Sequence, residues 1–153
     1  MFEFLESYRD VAIPSPEMED VVLTCRLGDG VADGDLPSQA VGELREFWRR
    51  TSGGLLLVDE RFGICGLRLH DPVLAKQTAQ ERASYGYPLF ESDLVLGEFV
   101  GDTDMLIIDA QGKVVISAGS YPRDNWYIFD SLADVLRRYV DAEAEKYWEL
   151  TGK

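Results

Sequence analysis

Residues 94–117 read LVLGEFVGDTDMLIIDAQGKVVIS. Apolar runs of this length, broken by Gly and Asp, are strands separated by turns. Leu94 to Val100 is the first strand. Met105 to Asp109 and Lys113 to Ser117 form a hairpin around Ala110-Gln111-Gly112. Gly97 and Gly101 flank Glu98-Phe99-Val100, and glycines so placed mark a strand end or bulge.

Downstream, Pro122 to Asn125 reads as a loop and Trp126 to Phe129 as a short strand. Ser131 then caps a last helix, with Asp134 near its positive end. Leu132, Val135, Leu136, Tyr139 and Val140 give its buried stripe, which Tyr147 and Trp148 prolong. Upstream, Asp71-Pro72 caps and opens a helix to about Ser84. Leu55 to Val58 and Ile64 to Leu69 are strands around a turn at Asp59-Glu60. Leu36-Pro37-Ser38 opens a helix whose apolar face is Ala40, Val41, Leu44, Phe47 and Trp48, and Gly53-Gly54 ends it. Gly28 to Gly34 is a loop. Phe2, Leu5 and Tyr8 suggest a short helix. After Pro14, Ser15 caps a second one through Met18, Val21, Val22 and Cys25, stopped by Gly28.

Helices, then strands with one helical excursion, then a closing helix make the α+β signature. The expected fold is one domain over residues 1–153, with a core at about 16–148. A mostly antiparallel central sheet carries helices on one face. At 153 residues the chain fits a single domain with an ordinary core. Hydrophobic residues at 46% and charged residues at 28% exclude a disordered or fibrous chain. No apolar run is long enough to span a bilayer. The first ten residues carry Glu3, Glu6 and Asp10 in place of a basic start and apolar run, so a cytoplasmic, soluble protein is expected. Cys25 and Cys65, each among apolar neighbours, read as reduced, buried thiols.

The net charge is −13, which disfavours nucleic acid and anionic membrane as partners and suits a basic protein. From Ala83 to Gly112 there is no Lys or Arg, while Glu91, Asp93, Glu98, Asp102, Asp104 and Asp109 fall there. From Asp10 to Leu44 the acids meet a single base, Arg26. Stretches like these can fold into a one-signed surface.

Catalytic signatures are missing. The one histidine, His70, has no nucleophile or metal motif beside it and reads as structural. Asp102-Thr103-Asp104 could share a cation, yet Leu106 stands where a calcium loop needs a ligand. Such a pair is cheap in a chain with 28 acids. No phosphate-binding glycine loop occurs, and neither a metal nor a cofactor is expected. Tyr85, Tyr87, Phe90, Tyr121, Trp126 and Tyr127 are the unusual group. They lie in or beside loops next to acids, as binding-surface aromatics do.

Three segments together resemble the SUKH superfamily of Smi/Knr-like proteins. These are Leu36-Pro37 with the Phe47-Trp48 helix and Ser52-Gly53-Gly54; Leu96 to Asp102 running into Met105 to Asp109 and Gly112; and Trp126 to Leu136. The resemblance covers about Pro16 to Tyr147. Ser52 stands where that family usually has Asn or Asp, and Leu132 where it usually has Phe. The resemblance implies a non-catalytic binding module, since bacterial members are mostly immunity proteins for secreted toxins, often nucleases. Fungal members regulate cell-wall synthesis, which keeps a regulatory or scaffold module as the alternative. For a basic toxin partner, acid density and loop placement select Glu91, Asp93, Asp102, Asp104 and Asp124 as a charged rim. Tyr87 and Trp126 are the anchors.

Overall fold

The apolar runs of residues 94–117 become three adjacent strands of a larger sheet. The structure is a computed structural model that describes residues 1–150. Its elements are β1 (Asp10–Pro14), β2 (Val22–Leu27), α1 (Gly42–Arg50), β3 (Gly54–Asp59), β4 (Leu67–Leu69), α2 (Pro72–Ser84), β5 (Leu94–Phe99), β6 (Met105–Ile108), β7 (Val114–Ile116), β8 (Tyr127–Phe129), α3 (Leu132–Asp141) and α4 (Tyr147–Leu150). The eight strands lie side by side in chain order, each antiparallel to the next. This is the α+β architecture that the order of elements implies, although the helices are not confined to one face, since Ala79 of α2 packs on the face opposite α1 and α3.

Side-chain alternation makes two apolar faces. Leu94, Leu96, Leu106, Ile108, Val114 and Ile116 face one way, onto Leu44, Phe47 and Trp48 of α1 and Leu132, Leu136 and Tyr139 of α3. Val95, Met105, Ile107 and Val115 face the other way and meet Ala79 of α2 and Trp126. Ala75, one turn earlier in α2, belongs to the larger core. Asp71 caps α2 by accepting the Leu74 amide at 2.8 Å, and Ser131 caps α3 by accepting the Asp134 amide at 3.1 Å, as the sequence predicts.

The helix expected over Ser15 to Cys25 is instead the β1–β2 hairpin. Val21, Leu23, Cys25 and Leu27 are buried with Val22 and Arg26 exposed between them, so the governing period is two. The capping signal was real but local. Ser15 Oγ accepts the amides of Glu17 and Met18 at 3.4 and 3.3 Å, and this bends the hairpin tip without starting a helix. α1 begins at Gly42, later than Leu36, and leaves Val41 exposed. Only Leu67–Leu69 of the Ile64–Leu69 run is strand. α3 stops at Asp141, where Glu143 and Ala144 adopt left-handed φ of 54° and 74°; Tyr147 and Trp148 sit in the separate turn α4.

Gly53-Gly54 has a geometric cause. Gly54 has φ 133°, and a Cβ there would fall on the carbonyl oxygen of Arg26 in β2. β3 enters the sheet between β2 and β4 only because that atom is missing. The two cysteines are free thiols. Cys25 is fully buried and its Sγ accepts the Leu57 amide at 3.4 Å, while Cys65 is only half-buried, against expectation. Burial raises the pKa of both.

Candidate protein-binding surface

Two long loops, residues 85–93 and 117–126, fold over the second sheet face beside α2. Arg123 joins them. Its guanidinium donates to both carboxylate oxygens of Asp93, at 2.6 and 3.2 Å, and to the Pro88 carbonyl at 3.0 Å. Asp93 also accepts the Phe90 amide at 2.7 Å, and its side chain has no exposed surface. The same guanidinium lies 3.9 Å from the Phe90 ring centroid and 5.6 Å from that of Trp126. Trp126 is buried and donates its indole N–H to the Tyr121 carbonyl at 2.9 Å. One arginine therefore fixes two loops and two aromatic rings.

The outer surface of this assembly is apolar. Phe90, Tyr121 and Ile128 are 63%, 67% and 64% exposed, too much for anchors of a closed core. Beside Tyr121 and Ile128 runs a groove of about 540 Å³, with Ala118 and Trp126 also among its walls. Glu91 and Asp124 stand exposed nearby in the same loops. An open, mostly apolar groove with a charged margin suits recognition of another surface.

A second cluster adjoins it. Lys146 Nζ bridges Asp102 and Asp104, the latter at 2.8 Å. Burial opposes the lysine's charge, but the hydrogen bonds to both carboxylates keep its pKa above the ordinary value. Asp104 also accepts the Gly119 amide at 2.8 Å, which ties the loop at residues 117–126 to the β5–β6 turn. The Asp102-Thr103-Asp104 carboxylates thus converge on an ammonium group.

Behind these loops, His70 is buried. Its Nδ1 lies 3.0 Å from the Val95 carbonyl and its Nε2 lies 3.1 Å from Glu98, whose other oxygen accepts Arg82 at 2.6 Å. The hydrogen bond from His70, reinforced by Arg82 against the penalty of burial, holds the Glu98 carboxyl down to about 2. This chain of contacts clamps α2 onto β5. The lone histidine is thus buried among internal partners.

The expected contact residues divide accordingly. Tyr87 and Trp126 pack on the same sheet face, and Arg123 joins the loop of Glu91 and Asp93 to the loop of Asp124. Asp93, Asp104 and Trp126, expected as exposed contacts, are buried and committed to internal partners. That placement corrects the expectation, because a carboxylate without exposed surface cannot form a rim. Asp102 is half-committed to Lys146, and Tyr87 is half-buried, with Arg82 5.0 Å from its ring centroid. Glu91 and Asp124 remain as surface acids. Arg123 and Ile128 were not singled out in the sequence. Arg123 carries no local signal, since Asp93 lies 30 residues away. Ile128 had one: alternation in Tyr127-Ile128-Phe129 turns it away from its neighbours.

No family model, curated protein or solved structure matches the chain. Among the described residues, no helix is long and apolar enough to cross a membrane. The case for a function rests on the surface itself.

Proposed function

We propose that this chain is a non-catalytic protein-binding domain that recognises a basic partner. Within that reading it is an immunity protein of SUKH type, neutralising a secreted toxin such as a nuclease. The supporting observation is exposed Phe90 and Tyr121, on two loops joined by Arg123, beside exposed Ile128 of β8, in a chain of net charge −13. Rigid aromatics surrounded by acids give what a tight, fast interface needs. The rings supply desolvated contact area and the acids draw in a basic surface. Nuclease toxins carry basic surfaces because they hold phosphate backbones, so their charge complements this chain's.

The test is co-expression with the toxin-like product of the neighbouring gene. The expected result is rescue of growth and a stoichiometric complex on purification. A toxic product that neither binds nor is neutralised overturns the immunity reading. Replacing Tyr121 by Ala should weaken such a complex at least about tenfold while leaving the fold intact, since that ring is two-thirds exposed.

A further inference from the structure

β8 is a terminal strand of the sheet, three residues long, and carries neither a charge nor a proline along its edge. β1, at the other end, begins at Asp10 and ends at Pro14. A charge and a proline protect that edge from pairing. β8 is Tyr127-Ile128-Phe129, with no charge, proline or glycine. Tyr127 and Phe129 are half-buried against the main core, so the strand is held in place. Ile128 points to the other face and is mostly exposed, beside the groove walled by Tyr121 and Trp126. A fixed strand that, among the described residues, has no further strand on its outer edge and has an adjoining apolar socket is the arrangement that accepts an added strand.

The charge around it selects the occupant. Asp124 lies just before the strand and Asp130 directly after it. Asp130 binds Lys113 yet keeps 85% of its side chain exposed. A second copy would bring another net charge of −13 and the same two acids against these. Like charges oppose that pairing, whereas a lysine- or arginine-bearing segment is attracted at both ends.

We propose that β8 receives an extended basic segment of the partner protein as a ninth strand, with an apolar side chain of that segment seated in the groove beside Ile128. This deepens the protein-binding reading given above and rests on it. Backbone hydrogen bonds would give the pairing, Asp124 and Asp130 the preference for basic flanks, and the groove the preference for an apolar residue.

The probe is a capped peptide alternating lysine and valine, titrated into the isotope-labelled full chain and followed by backbone amide shifts. Two further peptides carry N-methyl groups, one on every valine amide and the other on every lysine amide. An added strand uses one edge of the peptide, so one methylated form should bind as the parent does and the other at least about tenfold more weakly. The shifts should centre on residues 125–130, and Ile128→Lys should remove them. Equal binding of both methylated peptides, or binding indifferent to Ile128→Lys, overturns strand addition. So does a dimer by light scattering that Ile128→Lys dissolves, because the edge is then taken by a second copy. If co-expression yields a complex that Ile128→Lys leaves untouched, strand addition falls and the immunity reading stands. If the peptide binds as described but no toxin is neutralised, the immunity reading falls alone.

Discussion

Replacing Arg123 by methionine should be the most damaging single change to the loop surface. Met keeps the length and apolar stem of the side chain but removes the guanidinium. Asp93 then keeps only the Phe90 amide, having lost two charge-assisted hydrogen bonds at 2.6 and 3.2 Å. Such bonds contribute about 1.5–3 kcal/mol each, and the contact 3.9 Å from Phe90 adds about 0.5–1 kcal/mol. Breaking a buried pair from one side costs about 3–5 kcal/mol, because the surviving charge stays buried. Water can reach part of the site, since the arginine side chain keeps 14% exposure, so the lower half of that range is expected. For a chain of this size each kcal/mol moves Tm by about 2–4 °C, so a loss of about 3–4 kcal/mol gives a fall of about 6–16 °C. Asp93→Asn alone should cost less, as an amide left among donors is cheaper than an unpaired charge. The double variant should recover about 2 kcal/mol relative to the sum of the singles. Urea unfolding of the parent, both singles and the double would measure this cycle. A loss below about 1 kcal/mol in Arg123→Met, or a coupling near zero, would refute the view that this pair holds the two loops.

Acidification tests the Glu98 clamp. Its carboxyl sits at about 2 against 4.5 for the free group, so its stabilisation is present above pH 4.5 and is lost as pH falls toward 2. Allowing for one-third exposure, this is about 1–2 kcal/mol. Glu98→Gln should therefore be less stable than the parent at pH 7, with the gap closing between about pH 5 and pH 2; a gap independent of pH counts against the clamp. Gly54→Ala should cost more than about 2 kcal/mol, because the added methyl meets the Arg26 carbonyl and φ is 133°. A variant with the parent's urea midpoint would disprove the close approach. Glu143→Gly should raise stability by up to about 1 kcal/mol, since Glu143 is exposed and holds φ 54°, a conformation glycine adopts without strain. A drop in Tm there would mean that the Glu143 side chain holds contacts that the left-handed turn needs.

Much of the sheet was legible because β5 to β7 consist of apolar runs too short for helices, separated by turn residues. The β1–β2 hairpin was not. Val21, Val22 and Cys25 fit a helical spacing as well as Leu23, Cys25 and Leu27 fit an alternating one. Ser15-Pro16 tipped the balance toward a cap that was in fact a turn. Pairing across the sheet decided between the two periods, and pairing is a non-local property. The surface followed the same rule. Loop aromatics were visible as a group, but burial of Trp126 and exposure of Tyr121 depend on how residues 117–126 fold back toward Asp93. Acid density and loop placement gave Asp93 and Asp104 a surface role. Their partners, Arg123 and Lys146, lie 30 and 42 residues further along the chain.

The sheet order also explains how acids scattered along the chain come to act together. When each strand pairs with its successor, alternate turns fall at the same end of the sheet. The β1–β2, β3–β4, β5–β6 and β7–β8 connections therefore share one end, and Lys146 bound to Asp102 shows that the chain after α3 reaches it too. Exposed Glu17, Glu19 and Asp20 lie in the first of these connections, Asp124 in the last, and Glu143 and Glu145 in the chain after α3, with Arg61 and Lys146 among them, a grouping that no local window of sequence would give. β8 starts from this end at Tyr127, immediately after the loop that carries Tyr121 and Asp124. Under the proposed reading, a basic partner drawn along the field would arrive where the β8 edge and the apolar groove begin. On that proposal steering and docking are separate tasks of one surface, so salt should slow association with the partner while Ile128→Lys and Tyr121→Ala should speed its dissociation.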